Sequence, residues 1–208
     1  MRFGNAAMAE GDAAFAARLD CVEKQVLAAC RPRAYWRLEK IERGENFRML
    51  IGGLETHSRQ LAHLLRGCGH AFLFCATLGA EVDALLRRLS RTSAAEALMA
   101  QGVAAALVET YCDFCMDDIA QEVAPLGETL TMRFSPGYGD LPLEVQRPLL
   151  SILDSQRKAG IVLSQNLLMI PSKSVSAIIG AGAQAVRTAH ERGKCNGCAK
   201  ADCEYRND

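Results

Sequence analysis

Six consecutive residues, Arg133-Phe134-Ser135-Pro136-Gly137-Tyr138, combine a fixed cation, a hydroxyl, a tight turn and an aromatic ring. An arginine at a strand end presents a planar fork that pairs with a carboxylate through two parallel hydrogen bonds. Glycine at 137, and again at 139, carries no β-carbon, so backbone can come close to a ligand there. Tyr138 offers a flat face for a base or a sugar. The same residues also suit an ordinary strand-to-helix turn, where proline and glycine are common, and local chemistry alone favours that plainer reading.

Glu109-Thr110-Tyr111-Cys112-Asp113-Phe114-Cys115 lies upstream in a helical stretch. Glu109 and Asp113 are four residues apart and share one helix face. Two carboxylates there can hold an ammonium or ribose hydroxyls, or can simply form a solvated stripe. Cys112 and Cys115 are better explained as small buried side chains, because no strand precedes them as in a thioredoxin-type motif. The last cysteines differ. Cys195, Cys198 and Cys203 sit in a stretch of Gly, Asn, Lys and Asp with no apolar face to bury them. Three thiolates at that spacing suit an iron–sulfur cluster or zinc, completed by His190 or another cysteine or left with an open iron position. A loose terminus accounts for them equally well.

The elements that must position these groups follow from composition and periodicity. The chain has 208 residues, 50% of them hydrophobic and 23% charged, with 24 basic side chains against 24 acidic ones. That length allows burial of roughly 70% of the unfolded surface, enough for a real core. A zero net charge argues against a nucleic-acid binder. No apolar run reaches the roughly 18 residues of a membrane span, and the first residues, MRFGNAAMAEGDAAF, lack a continuous apolar stretch of the length expected of an export signal. Nine cysteines then imply reduced thiols or metal ligands, and a soluble cytoplasmic protein is expected.

Helices are predicted over Asp12–Cys30, Ser58–Arg66, Ala80–Leu89, Ser93 to near Val123, and Leu143–Ser155. Ser93 with Glu96 three residues on forms a capping box. Two strands are predicted within Arg33–Ile51, and others over His70–Leu78, Thr129–Phe134, Ile161–Ile170 and Ser174–Ile179. This pattern predicts one α+β domain over residues 33–190, preceded by an N-terminal helical arm over 1–32 and followed by a cysteine-rich tail over 191–208.

From about Ala104 to Gly180 the chain resembles the activation domain of vitamin B12-dependent methionine synthase. Three segments in one order carry the resemblance: ALVETYCDFCMDDIAQE, RFSPGYGDLP and LLSILDSQRKAGIVLSQNLLMIPSKSVSAIIG. The second matches the family's Arg-x-x-Pro-Gly-Tyr signature at Arg133, Pro136, Gly137 and Tyr138. The resemblance implies a twisted antiparallel sheet with long helices that binds S-adenosylmethionine. It further implies that the methyl donor is presented to cob(II)alamin while a reductant supplies one electron. By analogy, Arg133 pairs with the methionine carboxylate and Glu109 meets the polar part of the ligand. The backbone at Ser135 and Gly137 cradles the ligand, with Tyr138 alongside.

The departures are specific. Where the family has Pro-Ala-Cys-Pro after the tyrosine, this chain has Gly139-Asp140-Leu141-Pro142. No counterpart of the family's late tyrosine or early aspartate is found, and the resemblance fades over the first sixty residues. With no corrinoid-binding module in the sequence, cobalamin is expected on a partner, a methionine synthase or related methyltransferase. The protein would be a free-standing methyltransferase component acting in trans, with the electron donor unassigned. Two alternatives stand beside it: a small iron–sulfur or zinc protein, and a docking module for a corrinoid protein without chemistry of its own.

Overall fold

The computed structural model describes residues 13–183. Two compact units are built from interleaved segments of the chain. One comprises residues up to Tyr35, Ala76–Cys115 and Ser155–Val175, and the other Trp36–Cys75, Met116–Asp154 and the residues from Ser176.

The first unit is mainly helical. It contains helix α1 (Ala13–Ala29), helix α3 (Ala80–Thr92) and most of helix α4 (Ala94–Val123), whose last residues belong to the second unit, as does the short α2 (Arg59–Leu64). In α3 the apolar residues Val82, Leu85, Leu86 and Leu89 recur at helical steps and are all buried. They pack with Val22 and Val26 of α1 and with Ala100, Ala104 and Val108 of α4. Ser93 caps α4 as its sequence suggests, accepting a hydrogen bond from the Glu96 amide at 3.3 Å. The unit is completed by α6 (Ser155–Ala159) and a small hairpin of β6 (Val162–Leu163) with β7 (Met169–Ile170).

Most of the sheet lies in the second unit. Its strands are β1 (Arg33–Arg43), β2 (Met49–Ile51), β3 (Leu54–Thr56), β4 (His70–Thr77), β5 (Thr129–Leu130) and β8 (Ser174–Gly182), in the order β3-β2-β1-β4-β8-β5. The β1–β2, β2–β3 and β5–β8 pairs are antiparallel. β4 is buried from Ala71 to Thr77 without alternation, as a central strand covered on both faces must be. Phe72 and Phe74 of β4 fill the interior together with Leu61 of α2 and with Leu149 of α5 (Gln146–Ile152). Trp36 stacks on Phe74 with ring centroids 6.4 Å apart and donates its indole N–H to Glu122 at 3.0 Å.

Three expected elements come out differently. The strand predicted over Thr129–Phe134 is regular only through Leu130, for a reason given below. Residues 161–170 form a hairpin and not one strand. The Ser164 hydroxyl accepts the Leu168 amide at 3.0 Å, and Leu167 takes a left-handed φ of 60°, which folds the polar Ser-Gln-Asn stretch into a turn. The helix predicted over Leu143–Ser155 is interrupted: a 3₁₀ turn at Leu143–Val145 leads into α5, and Asp154 with φ 48° separates α5 from α6. Strand β3, three residues long, has no counterpart among the predicted elements.

Candidate functional site

β5 enters the site with ordinary pairing, Thr129 opposite Gly182 and Leu130 opposite Ala181. The Thr131 amide still bonds Gly180 O at 2.9 Å, but the Thr131 hydroxyl also accepts the Gly180 N–H at 2.8 Å. A side chain has taken over a ladder position. The pairing resumes at Phe134 opposite Ile178. From Leu130 to Phe134 is four steps, whereas from Ala181 to Ile178 is three, so one extra residue is accommodated on this strand. Such a bulge bends the strand and re-aims its side chains. Arg133 lies within it, half-buried. This is why the predicted strand is regular only through Leu130, with Arg133 carried in the irregular segment that follows.

The next four residues are a tight turn. The Tyr138 amide donates to Ser135 O at 3.0 Å, Pro136 is the second residue, and Gly137 has φ 90°. Proline followed by a glycine at positive φ is the type II pattern. A β-carbon at Gly137 would touch only Leu143, at 3.4 Å, so the space beside it is open and the need for glycine comes from its φ. A second turn follows, with the Leu141 amide donating to Tyr138 O at 3.0 Å and the Gly137 amide to Leu141 O at 2.9 Å. The Gly137 N–H is therefore committed within the loop, while the space beside its Cα is open. Tyr138 is 56% exposed and meets Phe134 edge-on at 6.3 Å. Ser135 is half-buried.

Arg133, Ser135, Gly137 and Tyr138 are thus gathered in one bulge-and-turn segment of the second unit. Glu109 lies on α4 in the first unit, exposed, as is Asp113 one turn further on. Cys112 and Cys115 on the same helix are buried, which agrees with reading them as core side chains. Cys195, Cys198, Cys203 and His190 fall outside the described residues. Among the described residues no group of three His, Cys, Asp or Glu side chains is arranged to hold a metal, and no helix is long and apolar enough to cross a membrane.

In the sequence Asp140 stands out only as part of a departure from the family's pattern. Its carboxylate accepts the Ser58 hydroxyl, the Arg59 amide at 2.8 Å and the Gln60 amide at 3.2 and 3.3 Å. Ser58 in turn caps α2, accepting the Leu61 amide at 3.0 Å. Loss of hydration alone would raise the Asp140 pKa, but the Ser58 hydroxyl and the Gln60 and Arg59 amides outweigh it and hold the group below its ordinary value. The available signals were an aspartate at the end of the turn and a serine opening the predicted helix at Ser58. No local rule connects them.

Comparison with known proteins identifies the fold and the family. The crystal structure of the MetH reactivation domain bound to AdoHcy superposes with a TM-score of 0.63 at 16% identity, covering 85% of this chain and 68% of that one. At so low an identity the likeness establishes the shared α+β fold. No curated sequence matches the chain. A sequence model described as the vitamin B12 dependent methionine synthase, activation domain, matches residues 68–196, extending beyond the Ala104–Gly180 resemblance at both ends. The match takes in the long helix, the bulge-and-turn segment and β8, and by it the chain belongs to the vitamin B12-dependent methionine synthase activation domain family.

Proposed function

We propose that this protein binds S-adenosylmethionine and serves the reductive reactivation of cobalamin held by a corrinoid-binding methionine synthase or related methyltransferase. The observation that carries the reading is the bulge at Arg133 followed by the type II turn at Ser135–Tyr138, inside a chain of the activation-domain family. A related domain of the same fold has been crystallised with AdoHcy, the demethylated form of that ligand.

The residues fit an amino-acid ligand. Arg133 supplies a half-buried cation for the carboxylate end, in surroundings where a charge-assisted, two-pronged pair is stronger than in open water. Ser135 and the open side of Gly137 line the approach, and the Tyr138 face is available beside the nucleoside. Glu109 is assigned to the ammonium or ribose end. The chemistry itself is supplied by the corrinoid and the ligand: one electron and the sulfonium methyl group convert cob(II)alamin to methylcobalamin and release S-adenosylhomocysteine. The chain's part is to hold the methyl donor in a fixed pose, which turns an encounter into a positioned transfer. In this arrangement the protein acts in trans in the cytoplasm.

The tail over 191–208 receives a separate role in the same scheme. Cys195, Cys198 and Cys203 would hold an iron–sulfur cluster, because thiolates favour soft metals and zinc offers no electron. Such a cluster would pass on the electron that reactivation consumes.

Calorimetric titration with S-adenosylmethionine, with and without a cob(II)alamin-loaded partner, tests the reading. Saturable binding together with conversion of the cob(II)alamin absorption to that of methylcobalamin under reducing conditions is the expected result. Absence of binding at millimolar ligand in both arms would reject it.

A further inference from the structure

The turn that carries Tyr138 is held at two ends. Upstream, Phe134 and Ile178 exchange backbone hydrogen bonds at 3.0 and 2.9 Å, which ties the loop to β8. Downstream, Leu141 is buried and anchors the loop through packing, which carries no directional information. Direction comes from Asp140. Both of its oxygens are used, one by the Ser58 hydroxyl and the Gln60 amide, the other by the Arg59 and Gln60 amides. These donors belong to α2 and its cap, eighty or more positions away in the chain, and the Arg59 and Gln60 amides are the first of the helix, which have no partner within it. A carboxylate offers about four acceptor sites, and here three protein donors make four contacts with them. Both carboxylate oxygens of Asp140 are thus engaged by the start of α2, and its effect on the turn passes through the loop.

The neighbouring residue reinforces the geometry. Gly139 has φ 54°, and a β-carbon there would collide with the side-chain amide of Gln60, 1.9 Å away. The loop lies directly against α2 at this point.

We propose that Asp140 is a positioning residue for the S-adenosylmethionine site: by bonding the start of α2 it fixes the turn at Ser135–Tyr138 in its binding-competent pose. This rests on the site assigned above. It also gives a role to the Gly139-Asp140 pair, where the sequence leaves its family's pattern.

The test compares Asp140→Ala, Asp140→Asn and Leu61→Val in the full-length protein, by calorimetric titration with S-adenosylmethionine and by amide hydrogen exchange without ligand. Leu61 is buried in α2 but makes no bond to the loop through its side chain, so Leu61→Val loosens α2 while leaving the Asp140 carboxylate in place. Asp140→Ala is expected to weaken binding by about tenfold or more and to speed exchange at Gly137 and Leu141. Asp140→Asn, which keeps one acceptor oxygen, should recover part of the affinity. Leu61→Val should bind as wild type despite a lower Tm. Wild-type affinity in Asp140→Ala, or an equal loss in Leu61→Val, overturns the positioning role while leaving the site intact. Should Asp140→Ala not fold, Asp140→Asn decides: a severalfold loss supports the proposal and unchanged affinity overturns it. A wild-type protein that binds no S-adenosylmethionine overturns the site and the positioning role together.

Discussion

Arg133 lies within a β-bulge, so its aim depends on a backbone irregularity that a straight strand would not provide. Removing its guanidinium should weaken S-adenosylmethionine binding without unfolding the sheet, because the ladder bonds at Leu130 and Phe134 are made by backbone. Loss of a hydrogen bond to a charged group costs roughly 1.5–3 kcal/mol, or about ten- to a hundredfold in affinity. Calorimetry on Arg133→Ala measures this directly, and wild-type affinity would take Arg133 out of the site. Gly137 is constrained differently. Its surroundings leave room for a side chain, but φ 90° does not suit a β-branched residue. Gly137→Val should lower stability by roughly 1–3 kcal/mol through backbone strain and abolish ligand binding in a protein that still folds. Circular dichroism separates the two effects: a wholly unfolded variant would mark the turn as purely structural.

Helix α2 is six residues long and could not persist alone, since short helices are marginal in water. Its start is held by Ser58 from within and by Asp140 from the loop. Ser58→Ala removes the cap and one donor to Asp140, so a destabilisation of about 1–2 kcal/mol is expected. Trp36 is the single tryptophan and stacks on Phe74 in the same unit, so its fluorescence should follow the denaturant unfolding that measures this. The α2 contact also carries a pH signature. The folded Asp140 pKa is lowered, so its stabilisation is complete above the ordinary value of 3.8 and is lost as pH falls through the lower folded value. Wild type should therefore lose more stability than Asp140→Asn on acidification below 3.8, and parallel acid-unfolding curves would show that the contact contributes nothing.

At the scale of the whole molecule, the tail is the feature that separates a metal-dependent from a metal-free mode of action. With Cys195, Cys198 and Cys203 inside nine positions of polar sequence, anaerobic purification should yield iron and sulfide in near-stoichiometric amount. The triple Cys→Ser variant should lose both. Less than about a tenth of an equivalent of any metal in the wild type, by elemental analysis, would reduce the tail to a loose terminus.

Much of the architecture was legible in residue order alone. The apolar run at His70–Leu78, the i, i+3, i+4 pattern of Val82, Leu85, Leu86 and Leu89, and the Ser93 cap each specify their element locally, because periodicity and capping act over one or two turns. The Arg-x-x-Pro-Gly-Tyr segment likewise announced both its turn and its family. What lay beyond local reach was decided by partners distant in the chain. The strand at Thr129–Phe134 breaks because the Thr131 hydroxyl takes the Gly180 amide across the sheet. Asp140 acquires a role because α2 and its cap bring three donors to it from eighty or more positions away. A polar side chain chooses its partner by distance in space, and only tertiary packing sets that distance.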